Sequence, residues 1–309
     1  MDTSLNTNLL GMDMKSPVIT ASGTFGFGEE FADFVDLSSL GAVTVKGTTL
    51  KPRAGNSGVR IAETPAGMLN CIGLENPGAD AFLNDILPRI KKYNMNVIVN
   101  ISGSTVEEYG ILAEMLDVDG VNAVELNVSC PNVKEGGIVF GTDPKMAAAV
   151  VTEAKRKTKK PIILKLSPNV TDIKVMAKAA EDAGADAVSL INTLIGMAID
   201  VNTFKPVLGN VTGGLSGPAV KPVALRMVYE ARGAVKIPII GMGGISSAED
   251  AIEFFLAGAD AVAIGTANFV NPKITTEICE GLKNYLKEKN FNSIKDIIGL
   301  ARGEMNGRR

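Results

Sequence analysis

Short apolar runs alternating with amphipathic stretches recur along the whole chain. One phrase repeats: a small-residue turn, an apolar strand and a closing polar residue. It occurs as LGAVTVKG (40–47), VNAVELN (121–127), GADAVSLIN (184–192) and GADAVAIGT (258–266). The last two share GADAV, and each follows a segment with apolar residues at helical spacing, Asp172 to Ala183 and Ser247 to Ala257. Glycine stands where each helix should stop. Further apolar runs, VIVN (97–100), PIILKL (161–166) and IPIIGMGG (237–244), lead through polar or glycine-rich loops into helical patterns opened by Ser, Thr or Asp. With PVIT (17–20) the predicted strands are 17–20, 42–46, 96–100, 122–127, 161–166, 186–191, 238–241 and 260–264. Continuous apolar strands between amphipathic helices predict an α/β protein whose parallel sheet is covered by helices. A count of eight favours a closed (β/α)8 TIM barrel over an open doubly wound sheet. No linker rich in Pro, Ser or charge divides the chain, so 1–309 is expected to form one barrel domain. Residues 1–16 form an N-terminal arm, expected to be a hairpin turning at Leu10-Gly11.

Composition narrows the function classes. The 309 residues are 46% hydrophobic and 21% charged, with a net charge of −3, which offers no basic field for nucleic acid. The N-terminus lacks the basic and apolar regions of a signal peptide, and no window approaches the ~18 apolar residues of a membrane span, so a cytoplasmic protein is expected. Histidine is absent, and the three cysteines, Cys71, Cys130 and Cys279, are too few and scattered for a disulfide framework or a four-thiolate metal site. No metal is predicted.

In a barrel of this kind chemistry gathers where the strands end at their C-termini. The residues closing the predicted strands are Ala21 and Ser22, Lys46, Asn100, Asn127, Lys165, Asn192 and Thr193, Gly243 and Gly244, and Gly265 and Thr266. Each has an ordinary explanation. A strand-end lysine is commonly a solvated charge, an asparagine a turn or cap, and a free cysteine a small buried hydrophobe. Together they say more. The loops after the seventh and eighth strands, GMGGI and AIGTA, fall where barrels gather backbone N–H groups around a phosphate. Amides that donate and accept suit a flat heterocycle edged with carbonyl and N–H groups, and a lysine can stabilise an anion forming on it. A flavin with a pyrimidine stacked on it meets both demands.

The motifs ASGTFGFG (21–28), VTVKGTT (43–49), NCIGLENPG (70–78), NVSCPNVKEGG (127–137), LKLSPN (164–169), SLINT (189–193), GGLSGPA (213–219) and GMGGI (241–245) make the resemblance specific. Over essentially its whole length the chain resembles the catalytic subunits of the class 1B dihydroorotate dehydrogenases. It departs from related sequences at Cys71, where they usually carry Ala or Ser. The resemblance implies an FMN enzyme that oxidises dihydroorotate to orotate in pyrimidine synthesis, with Cys130 as general base. It places Lys46 at both flavin and substrate and Lys165 beside the flavin ring. It assigns Asn70, Cys71, Ile72, Gly73, Leu74, Asn127, Asn192 and Thr193 to the pyrimidine. Ala21, Ser22, Gly47, Asn100, Asn127, Ile191, Gly217, Gly243, Gly244, Gly265 and Thr266 fall to FMN, the last four at its phosphate. Pro131 fixes φ and Gly136 and Gly137 free the backbone, so 130–140 is expected to be an active-site lid.

The class 1B likeness also implies a homodimer within a heterotetramer. The second subunit would carry FAD and a [2Fe–2S] cluster and pass electrons to NAD. Three cysteines are one short of an iron–sulfur ligand set in this chain itself, and no strand-turn-helix GxGxxG offers a dinucleotide site. The rival readings are a fumarate-using class 1A homodimer, a dihydrouridine synthase-like flavoenzyme, an aldolase-type barrel with a Schiff-base lysine, and a non-catalytic binding barrel.

Overall fold

In the computed structural model, which describes residues 4–128 and 137–303, the eight apolar runs all form strands. They are Val18–Thr20 (β1), Val43–Thr48 (β2), Val97–Ile101 (β3), Ala123–Asn127 (β4), Ile162–Lys165 (β5), Ala187–Leu190 (β6), Ile239–Met242 (β7) and Ala261–Ile264 (β8). They make one parallel sheet in the order β1-β8-β7-β6-β5-β4-β3-β2. A parallel bridge between Ile19 and Ala42 joins its two edges, with Gly41 N–H donating to Val18 C=O at 2.8 Å. The sheet is therefore a closed barrel.

Helix ends follow from local chemistry. The Asp172 side chain accepts from Lys174 N–H at 2.9 Å to start Ile173–Asp182. Ser247 accepts from Asp250 N–H at 3.2 Å to start Ala248–Ala257, and Gly258 stops that helix in the left-handed region at φ 116°. Each such N-cap is worth about 1 kcal/mol. Among the described residues no helix is long and apolar enough to cross a membrane.

The strands bury both faces, and the faces differ. Outward residues such as Val18, Val45, Val99, Val124, Leu164 and Val188 pack in one core with the surrounding helices. Inward residues Ile19, Ala42, Ile98, Ala123, Ile163, Ala187, Ile240 and Ala261 form a second core with Leu9, Met12 and Met14. Those three belong to a hairpin, Thr7–Leu9 paired with Met12–Met14. Its turn residues Leu10 and Gly11 both have positive φ, 56° and 79°, as a two-residue turn matched to the strand twist requires. Asn96 Nδ2 ties the hairpin to the barrel by donating to Asp13 C=O at 3.0 Å and Gly41 C=O at 2.8 Å. One end of the barrel is thus plugged by apolar side chains, which leaves the other for chemistry.

Further along the strands the inward positions turn polar: Lys46, Asn100, Glu125, Asn127, Lys165 and Ser189. Beside this end lies a four-stranded antiparallel sheet that the apolar runs did not predict. Its order is Leu194–Met197, Thr212–Ser216, Gly67–Asn70, Ile61–Thr64, so insertions after β2 and β6 build it together. Of the expected lid, residues 130–136 lie outside the described residues. Its end is not loop: from Gly137 the chain is helical to Thr142. Phe140 is buried there, its ring edge-on to Tyr109 at 6.0 Å between centroids.

Candidate active site

The polar end of the barrel opens into a cavity of ≈ 1090 Å³ between the strand termini and the antiparallel sheet. From the barrel come Ala21 and Ser22 after β1, Lys46 and Gly47 in β2, Asn100 in β3, Asn127 closing β4 and Lys165 closing β5. The turns after β6, β7 and β8 add Ile191, Asn192 and Thr193, then Gly243 and Gly244, then Gly265 and Thr266. The opposite wall supplies Asn70, Ile72, Gly73, Leu74 and Gly217. Residues scattered over more than two hundred positions of sequence thus share one cavity because each closes, or follows, a parallel strand. Two sequence candidates differ. Cys71 is fully buried behind the wall with Leu69 and Leu208, its thiol 3.6 Å from Val59 C=O, and does not line the cavity. Cys130 lies outside the described residues.

Local structure aims the polar groups. The β2–β3 register shifts between Val45 and Thr48, an irregularity that bends the strand where Lys46 and Gly47 meet the cavity. Lys46 N–H donates to Gly26 C=O at 2.7 Å. Burial holds its ammonium below the ordinary lysine range; Glu75 opposes this, Arg60 adds to it, and Glu30 opposes it more weakly. Asn192 Nδ2 donates to Asn127 Oδ1 at 3.2 Å, and its own Oδ1 accepts from Thr193 N–H at 2.8 Å. Asn169 braces the same turn, donating to Thr193 C=O at 3.0 Å. These bonds fix how the Asn127 and Asn192 amides are turned at the cavity wall.

Two glycine turns close the far end. Gly243 and Gly244 have φ of 122° and 77°. A Cβ on Gly244 would lie 2.7 Å from Lys221 N and 2.9 Å from Gly217 C=O, so the turn after β7 packs backbone against backbone. Thr266 Oγ1 bonds Ser216 Oγ at 2.8 Å, linking the turn after β8 to the antiparallel wall.

Behind Asn100 and Lys165 lies a buried charge that the strand-end motifs did not single out. Glu125 is 2% exposed, with its carboxylate between Asn100, Ser189 and Lys165. Lys165 is itself only 6% exposed, and its Nζ stands 3.7 Å from Glu125 Oε1. Burying either charge alone would cost several kcal/mol, which is why they are found together. A signal was available: Glu125 precedes Asn127 by two, so strand periodicity puts both on the inner face. Asn100 is 0% exposed, and its Oδ1 has no hydrogen-bond partner among the described residues. A buried acceptor left open at a cavity wall, glycine turns at one end and paired amides at the other fit a flat, N–H-bearing ring with an anionic tail.

Comparison with known proteins identifies the family. A sequence profile described as dihydroorotate dehydrogenase matches residues 4–286. A relative from Thermoanaerobacter sp. (strain X514) is 58% identical over 296 residues, 96% of this chain and 98% of that protein. One from Pelobacter propionicus (strain DSM 2379 / NBRC 103807 / OttBd1) is 57% identical over 300 residues, 97% of this chain and 99% of that protein. One from Desulforamulus reducens (strain ATCC BAA-1160 / DSM 100696 / MI-1) is 58% identical over 302 residues, with 97% and 99% covered. All three are named dihydroorotate dehydrogenase B (NAD(+)), catalytic subunit. The chain belongs to the dihydroorotate dehydrogenase family.

Proposed function

We propose that the chain is the catalytic subunit of an NAD-linked dihydroorotate dehydrogenase, oxidising dihydroorotate to orotate in pyrimidine synthesis. The observation that carries this reading is the convergence of two lysines, the amide cluster and two glycine turns on one cavity in a chain of this family. Forming the ring double bond removes a proton from one carbon and a hydride from its neighbour. FMN, when bound, supplies the two-electron acceptor for the hydride. Cys130 takes the proton as thiolate; with histidine absent from the chain, no imidazole competes for that role. Lys46 and Lys165 carry the positive charge that steadies negative charge building on the rings, at strand ends where solvent screening is weak. Asn70, Asn127, Asn192 and Thr193 orient the pyrimidine, and Gly243, Gly244, Gly265 and Thr266 receive the phosphate through backbone N–H groups.

The relatives' names point to a subunit acting with a partner; the class 1B resemblance in turn implies that this second subunit holds FAD and a [2Fe–2S] cluster and takes the electrons on. The chain then works as a homodimer within a heterotetramer. The purified chain should be yellow, and anaerobic dihydroorotate should bleach its bound flavin; a coloured protein that does not bleach would overturn the reading. Brisk turnover of the isolated chain with fumarate would move it to the class 1A mode. NAD reduction seen only with the second subunit present supports the class 1B mode.

A further inference from the structure

Glu125 lies behind Asn100 and Lys165, which line the cavity, while neither it nor Ser189 does. The strand register sets it beside Asn100, and both side chains point into the barrel. Both carboxylate oxygens are engaged. Oε1 accepts from Asn100 Nδ2 at 2.6 Å and Oε2 accepts from Ser189 Oγ at 2.7 Å. Lys165 Nζ, at 3.7 Å from Oε1, is outside the ~2.7–2.9 Å of a charge-assisted hydrogen bond, so its donors are not consumed by the carboxylate.

A primary amide buried in a wall can turn either its NH2 or its oxygen toward the ligand, and the two surfaces select opposite partners. A carboxylate only accepts. Beside it, Asn100 must direct Nδ2 downward and Oδ1 upward. That Oδ1 is the buried acceptor left without a partner, and it lies against Gly47, where an added Cβ would stand 2.8 Å away. Glycine at that position avoids crowding the oxygen with a side chain.

The geometry points to Glu125 as a positioning residue. It touches neither cofactor nor substrate, but it sets the polarity of the cavity floor by fixing the Asn100 amide as an acceptor, so that the floor takes a ligand N–H. The assignment rests on the flavin reading above, because oxidised FMN is the N–H-bearing ring expected there. In Glu125→Gln the neighbour can donate as well as accept, and Asn100 loses its reason to face one way.

The test is a double-mutant cycle on FMN affinity, titrating full-length apoprotein with FMN and reading flavin fluorescence. The four forms are wild type, Glu125→Gln, Asn100→Ala and the double variant, with thermal unfolding as the fold control. Glu125→Gln should weaken FMN binding about tenfold, the scale of one misdirected buried hydrogen bond. In the Asn100→Ala background the same change should matter less than about twofold, because the residues act through one contact. Glu125→Asp keeps the charge but withdraws the carboxylate by one methylene, and should weaken binding as Glu125→Gln does. Additive effects would overturn the proposal, as would failure of both Glu125 variants to fold, since either assigns the residue to the fold alone. Wild-type apoprotein that does not bind FMN would sink the flavin reading, and the proposal with it.

Discussion

Three glycine-to-alanine changes separate what the turn after β7 does for the fold from what it does for a ligand. Gly184 has φ 92° and an added Cβ would meet nothing within 4 Å, so Gly184→Ala carries the conformational penalty alone. A left-handed L residue costs roughly 1–2 kcal/mol. Gly244→Ala carries the same penalty at φ 77°, and its Cβ would also lie 2.7 Å from Lys221 N, 2.8 Å from Lys221 Cβ and 2.9 Å from Gly217 C=O. These are backbone or backbone-proximal atoms that cannot swing away, so the loop must shift, at an overpacking cost of about 1–3 kcal/mol more. Gly265→Ala incurs neither: its Cβ would meet only Ala21 Cβ, at 3.7 Å. The lower unfolded-chain entropy of alanine, about 0.4–1 kcal/mol, is common to all three and cancels in comparison. In urea unfolding of the apoprotein, the order of loss should be Gly244→Ala, then Gly184→Ala, then Gly265→Ala. The first two should differ by about 1–3 kcal/mol, and the last, left with only the entropy gain, should be about 0.4–1 kcal/mol more stable than wild type. FMN titration should give a different order: Gly184→Ala unchanged, Gly244→Ala and Gly265→Ala weakened at least about tenfold, because both alter the wall expected to receive the phosphate. Gly244→Ala no less stable than Gly184→Ala would refute the packing argument. Undiminished FMN affinity in Gly265→Ala would put the phosphate elsewhere.

Cys130→Ala should keep FMN binding and slow flavin reduction by dihydroorotate by about 10²–10⁴; near wild-type reduction in stopped flow would remove Cys130 from the proton transfer. Cys71 is wholly buried. Burial pushes the Cys279 thiol up against weaker lowering by Ser16 and Lys283. An alkylating reagent at neutral pH should therefore label Cys130 first, and early label on Cys71 or Cys279 in peptide mass mapping would contradict this. Lys46 is held below the ordinary lysine value of about 10.4. Between its native value and that figure the unfolded chain binds the proton that the folded chain has released, so apoprotein stability should rise with pH across that window. Urea midpoints over a pH series should lose that rise in Lys46→Met, and an unchanged slope would show that burial of Lys46 is not its source.

The parts of this protein legible in its sequence are those in which one residue's surroundings are set by its own strand. GADAV before β6 and β8 announces a turn and a strand apolar on both faces, and only a sheet covered on both sides explains eight such runs. Strand-end residues needed no further knowledge to be brought together, because parallel strands in a barrel end at one rim. The antiparallel sheet obeys a different rule. Gly67–Asn70 and Thr212–Ser216 are short and glycine-bearing, and they pair across 144 residues between Asn70 and Gly214. Their stability comes from partners rather than from pattern, so neither segment declares itself alone. Cys71 shows the reverse error. It sits beside Asn70 and Ile72, which line the cavity, but strand-like alternation carries its side chain to the other face of the wall. Glu125 is hidden in an otherwise apolar strand, and only its two-residue spacing from Asn127 puts it inside. Once inside, it needs the Asn100 amide, the Ser189 hydroxyl and a cation within reach, and those three come from β3, β6 and β5. The layer that orients the candidate site is therefore written in single residues on four strands, and only the barrel's closure makes them neighbours.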